Sequence, residues 1–356
     1  MTAKIYDENI ERYFELPSPK KMIGEIPHQY FSREILIRAR ESIKDILDRK
    51  DRRKIIIAGP CSIHDTNAGL EYASRLRKLA DETKDNLFLV MRTYVEKPRT
   101  EFGWGGLIID PDLDNSCDIE KGIKTSRKFL FDVLNIGIPT SAEFVSLDFP
   151  QYIADFICWA AIGARTVEAQ YHRKMASGLS MPVGIKNTTA GDIQTAISAI
   201  KVARNPNVFP GINLEGIASK IVTKSNPYSH LILRGGNGTP NYTQEKVTEA
   251  LKLIPREIPK NIIIDCSHGN SCKDYKKQEE VSNNVLEQIL SGNDDIMGIM
   301  LESNLKEGKQ KFPETEEDRK NLKYGVSVTD ACIGWEATEK IIRKWHDRLR
   351  KLRKQD

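Results

Sequence analysis

Cys61, His268, Glu302 and Asp330 supply a thiol, an imidazole and two carboxylates, the side-chain types that hold a divalent metal, although they lie far apart along the chain. A mixed soft and hard donor set of this kind suits Mn, Fe, Co or Zn better than Mg or Ca. The spacing is not that of a local metal motif, which leaves a second reading open: Cys61 as a small buried residue, His268 as a hydrogen-bonded loop histidine, and the acids as partners of nearby cations. Another set is cationic. Arg92, Arg165, Lys186 and Arg234, with Lys97 close behind, exceed what Glu143 could neutralise. A charge that loses its hydration needs a partner or a ligand, so the set predicts a substrate bearing a phosphate and a carboxylate. Taken singly, each cation reads as a surface ion pair; only a shared location argues for an anion site. His64 and Asp65 read as turn or helix-cap residues, and Cys266 and Cys272 as packing or loop residues.

These residues share a location if the short apolar runs that precede them are the strands of one parallel sheet. The runs are Lys54 to Ala58, Leu87 to Met91, Ile138 to Ala142, Ala161 to Ala164, Pro182 to Ile185, Leu231 to Leu233, Ile262 to Asp265 and Ile296 to Leu301. Helical periodicity lies between them, most visibly over Ala68 to Asp81, Ile119 to Asn135 and Val281 to Leu290. Eight such units predict a (β/α)8 barrel, whose active site is built at the carboxyl ends of the strands. Nearly every run here ends on a polar group: Arg92, Glu143, Arg165, Lys186, Arg234, Asp265 and Glu302, with Cys61 just beyond the first. Residues 1 to about 50 form an N-terminal arm, and an insert at about 202 to 229, with β-like pieces, separates the fifth and sixth strands. No Gly- and Ser-rich linker divides the remainder, so residues 51–356 read as one catalytic domain.

Composition narrows the function classes. The 356 residues are 39% hydrophobic and 29% charged, with a formal net charge of +4. No apolar run reaches the roughly 20 residues a membrane helix needs, and Met1 to Glu15 lacks the basic and apolar regions of a secretory signal. A cytoplasmic protein with reduced cysteines is expected, because the six cysteines include no CxxC pair. The charge balance is too even for nucleic acid as main partner. The basic stretch Arg343 to Lys354 reads as the solvated face of an amphipathic terminal helix.

Seven blocks in order carry a resemblance: Gly-Pro-Cys-Ser-Ile-His-Asp from Gly59, Met-Arg from Met91, Glu-Lys-Pro-Arg-Thr from Glu96, Ile-Gly-Ala-Arg-Thr from Ile162, Leu-Arg-Gly-Gly from Leu233, Asp-Cys-Ser-His from Asp265, and Thr-Asp-Ala-Cys-Ile-Gly-Trp from Thr329. On these the chain resembles the class I 3-deoxy-D-arabino-heptulosonate 7-phosphate (DAHP) synthases of the shikimate pathway, over nearly its whole length. The resemblance implies condensation of phosphoenolpyruvate with erythrose 4-phosphate and water, with release of phosphate. It implies that Cys61, His268, Glu302 and Asp330 hold the metal. Arg92, Lys97, Arg165, Lys186 and Arg234, with Glu143 beside them, would bind phosphoenolpyruvate, and Arg99 and Thr100 the aldehyde's phosphate. Lys97, His268 and Asp330 would be catalytic, with Lys97 or His268 moving protons.

The resemblance also implies feedback by an aromatic amino acid near Phe144, Pro150, Gln151, Leu179, Ser180, Phe209 and Gly211, and a homodimer or homotetramer built through the arm and insert. Gly211 stands where some relatives carry serine, leaving room for a tyrosine hydroxyl. Two positions depart from the family pattern: Gly105, where lysine is usual, and Ile109, where asparagine is common; both bear on the aldehyde side. Three rival readings follow: a paralogue using another phosphorylated sugar aldehyde, a noncatalytic aromatic amino acid sensor, and a nucleic-acid binder using the terminal basic helix.

Overall fold

The computed structural model of the chain describes residues 5–353. Met1 to Lys4 of the polar start and Lys354 of the terminal basic stretch lie outside the described residues. The strands in chain order are β1 (Lys54–Gly59), β2 (Leu87–Arg92), β3 (Thr140–Glu143), β4 (Trp159–Ile162), β5 (Val183–Lys186), β6 (Val208–Ile212), β7 (Ala218–Val222), β8 (Ser229–Leu233), β9 (Ile262–Asp265) and β10 (Ile296–Glu302). All but β6 and β7 close into a parallel barrel in chain order, with β10 beside β1. The expected (β/α)8 fold is the observed one. Its strands read as apolar runs because both faces are covered, by the barrel interior and by the outer helices. Ile55, Ile56, Ile57 and Ala58 of β1 are all 0% exposed.

Two strand expectations are corrected. β3 begins at Thr140 rather than Ile138, since Pro139 has no N–H for a ladder and contributes only its carbonyl, to Met91 N. β4 runs from Trp159 to Ile162 rather than from Ala161 to Ala164, in register with Ser141 of β3 and Val183 of β5. Arg165 therefore lies in the turn beyond β4, and is more exposed than a strand-end residue would be.

The helices occupy Thr66–Thr83, Ile119–Ile136 and Gln278–Leu290, close to the expected spans. Asp65 caps the first, accepting from Asn67 N and Ala68 N. The terminal helix Trp335–Leu352 buries Ile341, Ile342, Trp345 and Leu349, while Arg343 and Arg348 pair with Glu82 and Glu287. Its basic face is thus largely a set of ion pairs. Among the described residues no helix is long and apolar enough to cross a membrane.

The arm contributes helices Pro19–Glu25 and Tyr30–Leu47. It is fastened at several places. Tyr152 donates to Pro17 O (3.0 Å) and Arg40 to Ile157 O, joining it to the β3–β4 connection, and Arg127 of the Ile119–Ile136 helix donates to Ile26 O (2.8 Å). Lys20 N donates to Leu214 O (2.8 Å), joining it to the turn of the antiparallel β6–β7 hairpin, which is the insert.

Candidate active site

The carboxyl ends of the strands bring the predicted metal donors together. Cys61 follows β1, Glu302 closes β10 and Asp330 comes from the segment before the terminal helix; donor atoms of these three lie within 4.8 Å of one another. His268, in the loop after β9, places Nε2 3.6 Å from Glu302 Oε1. Its orientation is fixed from behind. Ser267 Oγ donates to Asp265 Oδ1 (2.7 Å), so it can accept from His268 Nδ1 at 2.6 Å, while Asp265 Oδ2 lies 2.9 Å from the same nitrogen. A proton on Nδ1 leaves the Nε2 lone pair facing the cluster, the arrangement typical of a metal-bound histidine. His268 adopts φ +56°, an uncommon backbone for a non-glycine residue.

The cluster needs positive charge. Burial, reinforced by Glu302, pushes the Cys61 thiol up to about 12, so it ionises only beside a cation. Lys97 already supplies one: its Nζ sits 2.7 Å from Cys61 Sγ and 2.9 Å from Asp330 Oδ2. Burial works against ionisation of Asp330, yet Lys97 holds its carboxyl far below the usual range. A thiol and two carboxylates within 4.8 Å of one another, with an oriented imidazole against Glu302, at a place already favouring a cation, fit a divalent ion, whose binding would displace the thiol proton.

Beside this cluster lies a cleft lined by Arg92, Lys97, Arg165, Lys186 and Arg234 together with Glu143, His268 and Glu302. By residue type these cations exceed what Glu143 could neutralise. Most are paired. Arg92, 1% exposed, meets Glu302 at 3.1 Å and lies over the Tyr94 ring at 4.0 Å. Lys186 lies 3.2 Å from Asp265 and 3.6 Å from Glu143. Burial alone would raise the carboxyls of Asp265 and Glu143, but the cations around them hold both below the ordinary range. Gly163 makes room for Glu143, since a Cβ there would fall 2.1 Å from its Oε1.

Arg165 and Arg234 differ. Arg165 Nε donates to Thr100 Oγ1 (2.9 Å) and Arg234 Nη1 to the Gly235 carbonyl (3.2 Å); neither has a carboxylate at ion-pair distance among the described residues. Burial, then the opposing effect of Asp265 and the nearby charge of Arg165, leaves the Arg234 guanidinium lowered from its usual value. Two like charges at the cleft wall call for an anion between them. Arg99 and Thr100 are exposed on the loop after β2, and Arg99 folds back over Gly103. That loop is pinched at its base by Lys97 N to Gly105 O (3.0 Å) and Ile108 N to Val95 O (3.1 Å).

Three groups take roles in the site that the sequence does not assign them. Asp265 orients His268 and pairs Lys186. Tyr94 underlies Arg92. Glu96, 3% exposed, accepts from Val145 N (3.2 Å) and Ser146 N (2.9 Å), tying the Lys97 loop to the segment after β3. An acid inside the otherwise apolar Tyr94-Val95 stretch was the available signal for Glu96.

The residues expected at an effector site fall on three elements. Phe144, Pro150 and Gln151 lie along the β3–β4 connection, Leu179 and Ser180 in the turn before β5, and Phe209 and Gly211 on β6. Phe144, Pro150 and Phe209 are buried, Gln151, Leu179 and Gly211 half-buried, and Ser180 exposed. A Cβ at Gly211 would lie 2.6 Å from Ile221 Cδ1, so that volume is filled from β7.

A closed (β/α)8 barrel with a thiol-carboxylate cluster beside a cationic cleft at its carboxyl end defines a barrel enzyme that handles an anionic substrate. The chain belongs to the DAHP synthetase I family, which it matches over residues 34–343. It is 46% identical over 335 residues to the Tyr-sensitive phospho-2-dehydro-3-deoxyheptonate aldolase of Escherichia coli, covering 94% of this chain and 93% of that one. It is 41% identical over 356 residues to the phenylalanine-inhibited enzyme of Saccharomyces cerevisiae, covering 99% and 96%. The solved phospho-2-dehydro-3-deoxyheptonate aldolase of Francisella tularensis superposes with a TM-score of 0.92 at 41% identity, over 96% of this chain and 99% of that chain.

Proposed function

We propose that this chain is a DAHP synthase, condensing phosphoenolpyruvate with D-erythrose 4-phosphate and water to give 3-deoxy-D-arabino-heptulosonate 7-phosphate and phosphate, the first step of the shikimate pathway. The observation that carries the reading is the pair Arg165 and Arg234, which line the cleft without a carboxylate partner while the other cations there are neutralised. The names of the relatives support it.

In this reading Arg165, Arg234 and Lys186 bind the phosphate and carboxylate of phosphoenolpyruvate, and Arg92 and Glu143 fix the floor on which it rests. Arg99 and Thr100 receive the phosphate of the aldehyde, and the Thr100–Arg165 contact links the two anion subsites. Holding both anions removes much of their mutual repulsion and orients C3 of phosphoenolpyruvate towards the aldehyde carbon. A divalent ion held by Cys61, His268, Glu302 and Asp330 would supply Lewis-acid polarisation of the aldehyde carbonyl. Lys97 Nζ is placed to give a proton to the oxygen that becomes the new hydroxyl, and the surrounding acids stabilise the positive charge developing at C2. Water adds at C2, and the resulting phosphohemiketal expels phosphate. Asp330 keeps Lys97 protonated and positioned.

An aromatic amino acid effector near Phe144, Pro150, Gln151, Leu179, Ser180, Phe209 and Gly211 belongs to the same reading. It is supported by the arm that fastens both the β3–β4 connection and the hairpin turn, and by Glu96, which ties that connection to the Lys97 loop. Room for a tyrosine hydroxyl at Gly211 requires Ile221 to turn aside. A homodimer or homotetramer is part of the proposal, because Tyr6, Tyr13 and Phe14 of the arm are 71 to 79% exposed. The test is loss of phosphoenolpyruvate and release of phosphate with a panel of phosphorylated aldehydes, repeated with Phe, Tyr and Trp. Erythrose 4-phosphate should give the highest kcat/KM; preference for another aldehyde would identify a specialised paralogue instead.

A further inference from the structure

A second cavity, of about 370 Å³ and open to solvent, lies at the opposite end of the barrel, under the first residues of β1 and β10. Its lining mixes apolar side chains, Ile46, Ile289, Met297, Leu349 and Leu352, with the cations Arg49, Arg52, Arg53, Lys54 and Arg353 and the acid Asp51. Two of the cations are neutralised, Arg49 by Asp295 at 2.7 Å and Arg53 by Asp51 at 2.6 Å. The other three are not. Lys54 is 9% exposed, and its ammonium has a single partner, the Ile296 carbonyl at 2.8 Å. Among the described residues Arg353 donates only to the carbonyls of Asp85 and Arg52, and the Arg52 guanidinium has no partner. Asp294 also lines the cavity, but it is exposed and keeps its hydration.

We propose that the amino-terminal end of the barrel carries a second binding site, for a small organic anion with an apolar body, an aromatic carboxylate being the class that fits. A buried ammonium with one neutral acceptor has lost most of its hydration and is compensated by an incoming anion. Burial, only partly opposed by Asp294, already brings Lys54 down to about 8. The apolar part of the lining, which includes the polarisable Met297, suits a ring. The excess of cations disfavours a ligand that brings its own ammonium. The site shares no residue with the catalytic cleft and does not depend on the reaction assigned there.

The test is calorimetric titration of the full-length protein with benzoate, acetate and benzylamine. Benzoate should bind saturably, with acetate and benzylamine at least about tenfold weaker, since each lacks either the apolar body or the anion. Benzoate binding should weaken by about tenfold or more in Lys54→Met and in Arg353→Ala, and persist in the cleft variant Arg234→Ala. If Lys54→Met does not fold, Arg52→Ala, at an exposed position, carries the same expectation. No saturable benzoate binding, acetate binding equal to benzoate, or binding that is lost in Arg234→Ala and kept in the Lys54, Arg52 and Arg353 variants would each overturn the proposal.

Discussion

Arg165 and Arg234 are the two side chains on which the substrate assignment turns. Because neither is neutralised by the protein, the proposed reading gives them the phosphate of phosphoenolpyruvate as partner, and each contact should then contribute about 1.5–3 kcal/mol. Arg165→Ala and Arg234→Ala are each expected to raise KM for phosphoenolpyruvate by roughly tenfold to a hundredfold. KM for the aldehyde should move less in Arg234→Ala than in Arg165→Ala, because only Arg165 touches Thr100. Steady-state kinetics with each substrate varied in turn would check this; a larger change on the aldehyde side would exchange the two subsites. The metal donors were legible as residue types, and so was the cationic set. Asp265 was not, because an acid at a strand end looks the same in sequence whether it faces solvent or braces a histidine. Only the meeting of Lys186 and His268 on its Oδ2 gives it a role.

The element that matters most is the loop from Tyr94 to Ile109, which leaves β2 carrying Lys97, Arg99 and Thr100. Glu96 anchors it to the segment after β3. Burial raises this carboxyl to about 7, against the lowering effect of the Val145 and Ser146 N–H groups. A folded-state value above the unfolded one means the folded protein holds the proton more tightly, so this group's stabilising contribution is complete below the unfolded value and disappears as pH rises through about 7. Glu96→Gln should therefore flatten the stability profile between pH 5 and pH 8 and make the protein more stable at pH 8, by on the order of 1–3 kcal/mol less whatever the altered hydrogen bonds cost. Chemical denaturation at the two pH values would measure it; an unchanged pH dependence would show that Glu96 is not the titrating group.

The other end of the same loop concerns the aldehyde. A Cβ at Gly105 would lie 3.2 Å from Ile109 Cγ1, so a side chain at 105 and the present one at 109 compete for one volume. Gly105→Lys should lower KM for erythrose 4-phosphate by no more than about tenfold, and Gly105→Lys with Ile109→Asn should do so more than the single change. Equal constants for the single and double variants in low-salt kinetics would separate the two positions.

For the molecule as a whole, the barrel was readable because parallel strands covered on both faces cannot alternate and so appear as uninterrupted apolar runs. The exception is instructive. β4 has Trp159, Ala160 and Ala161 in place of the β-branched residues that marked the others, and its start is set by pairing with β3 and β5 rather than by its own composition. The hairpin insert was visible only as β-like pieces, since half-exposed strands outside the barrel carry a weaker apolar signal. What closure of the barrel adds, and what no local pattern contains, is the convergence of residues from Cys61 to Asp330 on one point.

That convergence is tested most directly by removing the metal. The chelator-stripped protein, assayed for phosphoenolpyruvate loss with erythrose 4-phosphate, is expected to be nearly inactive and to recover with Mn, Co or Fe, whereas Cys61→Ser should neither retain the ion by elemental analysis nor recover. Full turnover in excess chelator, with no metal bound, would contradict the account.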